Sequence, residues 1–197
     1  MNHGREIGRK VVHLTSALVP IVYLFAPRDR MLMLAGAALA IVLAVDWLRR
    51  TPTAFGRWFR GLFGYMLRSY EERELMGGTF VLLAGFLCVL LFSKPIAVTV
   101  LFILSISDSA ASIIGILFGK ARFMGKTIAG SAAFFVTALV IAAVLLPGRV
   151  GIIVVAAVAA TLVEALPLRI GGWKVDDNLS VPLITGCVLT FCEALGW

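Results

Sequence analysis

The chain has 197 residues, 60% of them hydrophobic, with a formal net charge of +7 and a mean hydropathy of +0.99. This balance excludes an ordinary soluble domain, because repeated long apolar stretches are typical of a polytopic membrane protein. The same stretches leave no extramembrane domain that could bind nucleic acid, despite the basic charge. The three cysteines lie in apolar segments without ligand spacing, which indicates small core residues rather than a disulfide or metal site.

The apolar pattern predicts an all-α membrane protein that forms one module over residues 1–197. The predicted transmembrane helices number about seven and cover residues 11–26, 30–48, 77–92, 95–118, 128–146, 150–166 and 179–195. The basic N-terminus followed by an apolar run resembles a signal peptide. No small-residue cleavage site closes that run, so we interpret it as the first span.

Lysines and arginines are unequally divided between the two sides of the predicted spans. Fourteen of the 18 fall in the N-terminus and in segments 49–76, 119–127 and 167–178. The positive-inside rule therefore predicts a cytoplasmic N-terminus. We expect a multi-pass protein of the cell membrane whose acidic and basic motifs converge on the cytoplasmic face.

The longest segment between predicted spans, 49–76, mixes aromatic residues with arginines. Phe55, Trp58, Leu62 and Met66 share one helical face, which predicts a basic amphipathic helix near 53–70 lying in the membrane interface. Two roles stay open for this helix, namely anchoring the protein and gating the entry of a lipid.

A carboxylate, Asp108, lies inside the fourth predicted span. A charge in hydrocarbon is energetically unfavourable, so an intramembrane acid is a hypothesis of function. Ser105, Ser112 and Gly115 share its helix face, and tight helix packing explains such small residues well. Packing does not explain the carboxylate, so we predict that Asp108 binds a Mg²⁺ ion that bridges phosphate oxygens.

The loop that follows this span resembles a P-loop without being one. Five residues separate Gly119 from Gly125-Lys-Thr127, where the Walker motif has four, and no strand is predicted before it. Lys120, Lys126 and the N–H groups that open the next helix could still hold anionic oxygens. The alternative is a loop whose charge only sets the topology.

Three polar residues, Asp176, Asp177 and Asn178, precede the last span. One of them is expected to cap the helix, and the other two exceed what a cap needs. His13 is either a general base or a core histidine with satisfied hydrogen bonds. Glu164 is interpreted as a side chain that snorkels to the interface.

Taken together, the motifs resemble the CTP-dependent lipid kinases, namely dolichol kinase, phytol kinase and the CTP-using diacylglycerol kinases. The matching pieces run in order along nearly the whole chain: Glu6-x-x-Arg-Lys-x-x-His13, Gly77-Gly-Thr79, Ser107-Asp-Ser-Ala-Ala-Ser-Ile-Ile-Gly115, Phe118-Gly-Lys120, Lys126-Thr-x-Ala-Gly-Ser131, Glu164-Ala-Leu-Pro167 and Asp176-Asp-Asn-Leu-x-Val-Pro182. The chain also resembles, more weakly, the CDP-diacylglycerol synthases.

The resemblance implies an enzyme that uses CTP and Mg²⁺ to phosphorylate the hydroxyl of a membrane lipid alcohol, such as a polyprenol, dolichol, phytol or diacylglycerol. The residues expected to carry catalysis are Asp108, Lys126, Asp177 and His13. Those expected to bind the nucleotide are Arg9, Lys10, Ser112, Gly115, Lys120, Thr127, Ser131 and Asn178. The expected metal ligands are Asp108, Asp176 and Asp177.

Two other functions stay open at this point. One is a CTP-dependent cytidylyltransferase that makes a CDP-lipid, and the other is a lipid or ion transporter without enzymatic activity. The partners expected in the first case are CTP, the lipid alcohol and the bilayer, with no nucleic acid. A homo-oligomer is also left open.

Overall fold

Helices dominate the computed structural model, which describes residues 3–72, 74–123, 126–166, 168–171 and 173–196. In chain order they are α1 (His3–Leu14), α2 (Leu18–Phe25), α3 (Arg28–Arg50), α4 (Ala54–Phe63), α5 (Gly77–Leu91), α6 (Lys94–Phe102), α7 (Asp108–Phe118), α8 (Ile128–Leu145), α9 (Val150–Ala165) and α10 (Asp177–Ala194). Short 3₁₀ turns follow α1 and α4, at Thr15–Ala17 and Gly64–Met66. Two antiparallel hairpins pair β1 (Arg122–Phe123) with β2 (Lys126–Thr127), and β3 (Arg169–Ile170) with β4 (Trp173–Lys174).

Three helical stretches of the described chain are long and apolar enough to cross a bilayer, namely Arg28–Arg50, Lys94–Phe118 and Ile128–Leu145. Gly77–Leu91 and Val150–Ala165 are shorter apolar helices. Many large apolar side chains point outward from these helices, with Phe25 85% exposed, as expected for a surface that meets lipid. The chain is therefore a helical membrane protein, while the count of seven spans and their orientation stay predictions.

The predicted helices agree with the structure in position, and they differ at several ends. The helix of the first predicted span begins before residue 11 and includes a 3₁₀ turn in its middle. The last helix begins at Asp177 because the side chain of Asp176 caps it. The amphipathic helix predicted near 53–70 is present as α4 but ends at Phe63, and its face is divided: Phe59 is buried whereas Trp58 is 55% exposed.

The helix formed by α6 and α7 lies at the centre of the bundle. It packs against α1, α2, α8 and α10, and α9 covers α8 and α10 from the other side. A five-residue π-helical segment, Ile103–Ser107, joins α6 to α7 without a break in direction. Such π segments are rare and recur at functional sites, and this one ends immediately before Asp108.

A buried ion pair fixes the start of α5 to the end of α3. Asp46 is fully buried, Arg49 is 2% exposed, and their closest atoms are 2.5 Å apart. Asp46 also accepts hydrogen bonds from the Met76 N–H (3.0 Å) and the Thr79 hydroxyl (2.5 Å), while Arg49 donates to the Glu74 carbonyl (2.6 Å). Both charges are compensated, and the loop that leads into α5 is held in one conformation.

Candidate functional site

A cleft of about 890 Å³ lies between the first turns of α5, α8 and α10 and the facing sides of α1 and α7. Most of the predicted site residues line it: Arg9, Lys10, His13, Asp108, Ser112, Gly115, Lys126, Thr127, Ser131, Asp177 and Asn178. Two predicted residues do not. Lys120 is exposed, and the side chain of Asp176 is turned to the backbone of α10.

Asp108 is held by two groups from α1. The Lys10 ammonium makes an ion pair with its Oδ2 atom, and His13 Nε2 lies 3.4 Å from the same oxygen. His13 Nε2 is also 3.3 Å from the Leu104 carbonyl oxygen, in the π segment. A carbonyl oxygen only accepts hydrogen bonds, so we assign the proton of neutral His13 to Nε2, which leaves the lone pair on Nδ1.

The second charged group of the cleft centres on Lys126. Its Nζ atom lies 2.7 Å from Glu164 Oε1 and 3.2 Å from Asp177 Oδ2. Burial lowers the pKa of Lys126, but the carboxylates of Asp177 and Glu164 outweigh it, so the pKa lies above its ordinary value. Lys126 is therefore a permanent cation at neutral pH.

Glu164 lies deeper in the protein than its position in the sequence indicates. The side chain is only 5% exposed, so it does not snorkel to the interface. Its Oε2 atom has no hydrogen-bond partner among the residues that the structure describes. The sequence offered one signal for it, a carboxylate in an otherwise apolar run, which is the same signal that singled out Asp108.

Two neighbouring acids at the start of α10 have different surroundings. Asp176 accepts the N–H of Asn178 at 2.9 Å and caps the helix, as expected for one of the three polar residues. Burial and then the adjacent carboxylate of Asp177 raise the pKa of Asp176. Asp177 faces the cleft and Lys126, so it is the better placed of the two for a ligand.

The small residues of α7 have a structural explanation. A Cβ atom on Gly115 would lie 2.7 Å from Thr127 Oγ1, and that hydroxyl accepts the Gly130 N–H (3.1 Å) and caps α8. Only a glycine lets the two helices approach so closely. Packing thus accounts for Gly115 and Thr127, and their nucleotide-binding roles stay predictions.

The outer part of the cleft carries charged residues that the sequence hypothesis did not assign to the site. Glu6 pairs with Arg9 (3.1 Å) and Arg68 (3.6 Å). Glu71 is 3% exposed and accepts the N–H groups of Arg68 (2.7 Å) and Gly77 (2.9 Å). Arg122 is exposed at the rim and makes no ion pair with another described residue.

The cleft also has an apolar side, between α1, α2 and α5. It is formed by Val12, Val19, Met66, Leu67, Val81 and Leu82. A Cβ atom on Gly85 would lie 3.4 Å from the Val19 side chain, so α2 and α5 touch just beyond these residues. The cleft is therefore amphipathic, with charged groups on one side and aliphatic groups on the other.

The carboxylates were tested for their fit to a divalent cation. Within the described ranges, no group of three or more His, Cys, Asp or Glu side chains is arranged to hold a metal ion. Magnesium commonly takes only one or two carboxylates and completes its shell with water and substrate phosphates. Asp108 and Asp177 line the same cleft and fit that requirement.

Comparisons with known proteins give one relative that matches most of its length. The chain is 33% identical over 187 residues to an uncharacterized protein of Rickettsia prowazekii (strain Madrid E), covering 90% of each chain. It is 28% identical over 203 residues to a probable chloroplastic phytol kinase of Triticum aestivum, covering 92% of this chain and 65% of that protein.

A third relative is the CTP-dependent diacylglycerol kinase 1 of Eremothecium gossypii, with 30% identity over 146 residues, or 71% of this chain and 45% of that protein. The chain thus spans less than two thirds of the length of either named kinase. No protein-family model and no solved structure matches it. The distant relatives support the lipid-kinase resemblance, and the similarity to CDP-diacylglycerol synthases stays a prediction.

Proposed function

Because the chain belongs to the same family as the Rickettsia prowazekii protein and is distantly related to named lipid kinases, we propose that it phosphorylates a membrane lipid alcohol with CTP. The observation that carries this proposal is the amphipathic cleft, which offers charged groups for a nucleotide beside aliphatic groups for a lipid. The acceptor class is an isoprenoid alcohol of the phytol type or diacylglycerol, as the names of the relatives indicate. The use of CTP is supported by the third relative.

The charged side of the cleft suits a triphosphate. Lys126, Lys10 and Arg9 supply cations, and Arg122 at the rim adds a guanidinium. The first turns of α5, α8 and α10 also border the cleft, and helix N-termini favour anions through their unpaired N–H groups. We expect Mg²⁺ to be held by Asp108 and Asp177, where it would neutralise charge on the phosphates.

The reaction would be an in-line transfer. The oxygen of the lipid hydroxyl forms a bond to the γ-phosphorus of CTP, the bond from that phosphorus to the β,γ-bridging oxygen breaks, and CDP leaves. The hydroxyl proton passes to His13 Nδ1, whose lone pair is kept available by the contact of Nε2 with Leu104. The chain contributes mainly position and charge, which is general for phosphoryl transfer.

The aliphatic side of the cleft would take the lipid chain. Val12 and Val19 face Val81 and Leu82 across it, and the interfacial segment contributes Met66 and Leu67. A lipid could thus enter from the bilayer between α1 and α5, with its hydroxyl at the depth of Asp108 and His13. This assigns the interfacial segment a part in lipid access in addition to anchoring.

A transfer assay tests the proposal. The purified full chain in nanodiscs is incubated with γ-labelled CTP, Mg²⁺ and a panel of polyprenol, dolichol, phytol and diacylglycerol. We expect label in one lipid and a loss of at least about a hundredfold in Asp108→Asn, since removing one electrostatic group of this kind has such effects. Glu193→Gln, which changes an ion pair with Arg149 away from the cleft, is the matched control.

Other outcomes point to the alternative functions. Release of pyrophosphate with formation of a CDP-lipid would identify a cytidylyltransferase and refute the kinase. A wild-type protein that neither binds nor turns over CTP would refute both enzymatic functions and favour a transporter.

A further inference from the structure

A narrow gap opens from the inner wall of the cleft and is lined by four oxygen-bearing side chains. These are Asp108, Glu164, Asp177 and Asn178, and the opposite wall is formed by Leu104, Phe134 and Val181. Carboxylate and amide oxygens are the ligands that hard divalent cations prefer. The apolar wall limits the access of water to the same point.

Glu164 is the member of this group that the function proposed so far leaves unexplained. Its Oε1 atom contacts Lys126 at 2.7 Å, and its Oε2 atom has no hydrogen-bond partner among the described residues although the side chain is 95% buried. A buried carboxylate oxygen without a partner is destabilising by kilocalories per mole. Its presence beside two other carboxylates indicates that it serves a ligand.

The ammonium of Lys126 lies where a cation would be expected. Its nitrogen is 2.7 Å from Glu164 and 3.2 Å from Asp177, so one positive charge already joins two of the carboxylates. Lys126 is also the cation that the proposed function assigns to phosphate. If its ammonium turns to the phosphate, it leaves Glu164 and Asp177 facing each other without a counter-charge.

We propose that Glu164 is a ligand of the divalent cation, together with Asp108 and Asp177, and that Lys126 holds the place of this cation until a phosphate group engages its ammonium. The part played by phosphate rests on the proposed function, whereas the cation site does not. The competing explanation is that Glu164 is only the counter-ion of Lys126 and fixes the β1–β2 hairpin.

Binding of Mn²⁺ alone separates these explanations without relying on activity. The full chain in nanodiscs is titrated with Mn²⁺, and the free ion is followed by electron paramagnetic resonance. We expect Glu164→Gln to weaken binding by about tenfold or more, because even indirect supports of a metal site have effects of that size. Lys126→Met should bind Mn²⁺ more tightly than wild type, since it frees the carboxylates.

Glu193→Gln is the matched control, because it removes the same charge from an ion pair of 2.6 Å outside the cleft. Wild-type affinity in Glu164→Gln, or no saturable Mn²⁺ binding by wild type, would overturn the inference. A fall in thermal stability without a change in Mn²⁺ affinity would assign Glu164 a structural role. Mn²⁺ binding that depends on Glu164 in a protein that phosphorylates no lipid would instead refute the proposed function and leave the cation site standing.

Discussion

Replacing Lys126 by methionine removes the charge that joins two carboxylates while keeping much of the side-chain volume. Glu164 is 5% exposed, so it would be left as a buried charge without a counter-ion, whereas Asp177 is 35% exposed and is largely screened by water. Breaking a fully buried pair costs about 3–5 kcal/mol. Because the Lys126 side chain is itself 36% exposed, we expect the lower end of that range, about 3 kcal/mol.

The double variant Lys126→Met with Glu164→Gln tests the cause of this loss. Removing both charges is much less harmful than removing one, so the double variant should recover about 1–2 kcal/mol relative to Lys126→Met. For a chain of this length, about 3 kcal/mol corresponds to a fall of roughly 6–12 °C in the melting temperature. Thermal scans of detergent-solubilised protein at one fixed scan rate give the comparison.

The pH dependence of the same difference follows from the raised pKa of Lys126. The pair contributes its full stabilisation below the unfolded pKa of 10.5 and loses it only as the pH rises through the higher folded value. The deficit of Lys126→Met should therefore stay constant from about pH 6 to about pH 9. A variant as stable as wild type, or a double variant that loses the sum of both single effects, would refute the reasoning.

Three further substitutions probe other parts of the site. Asp176→Asn should keep the helix cap and be at least as stable as wild type at pH 7, because the neutral form is the one that the fold favours; the difference should vanish in melts near the unfolded pKa of 3.8, and a less stable variant at pH 7 would contradict this. Asp46→Asn should cost about 3–5 kcal/mol in urea or thermal unfolding by leaving a buried arginine uncompensated, whereas the exposed Asp29→Asn should cost under about 1 kcal/mol; equal losses would exclude the ion pair as the cause. Gly115→Ala should lower the melting temperature because its methyl group displaces the hydroxyl that caps α8, while Gly61→Ala, which meets nothing within 4 Å, should be neutral or slightly stabilising; a stabilised Gly115→Ala would show that the cap can move freely.

Features that depend on local sequence were predictable. The helix positions follow from apolar runs, and the gathering of Lys10, Asp108, Lys126 and Asp177 in one cleft follows from the charge bias that assigned them to one side. Asp176 was predictable as a cap candidate because capping involves neighbouring backbone groups. These inferences need only the chain's own periodicity and the cost of a charge in hydrocarbon.

Features that depend on pairing across the fold were not predictable. Nothing in the sequence separates Lys126, which turns to Glu164, from Lys120, which is exposed, because the β1–β2 hairpin decides their directions. The compensation of Asp46 and Arg49 likewise required knowing where the loop before α5 returns. Gly115 shows the opposite case, a residue assigned to the ligand whose contacts are explained by helix packing.

The π segment Ile103–Ser107 has a consequence for how the active carboxylate is aimed. A π turn amounts to one extra residue in an α-helix, and each α-helical residue advances the direction of its side chain by about 100°. The segment therefore rotates all of α7 relative to α6 by that amount, and it is this rotation that turns Asp108 to Lys10 on α1. Deleting one residue there would keep every functional side chain in the sequence and yet turn the carboxylate to a different neighbour, so the aim of Asp108 depends on a length, not on a residue type.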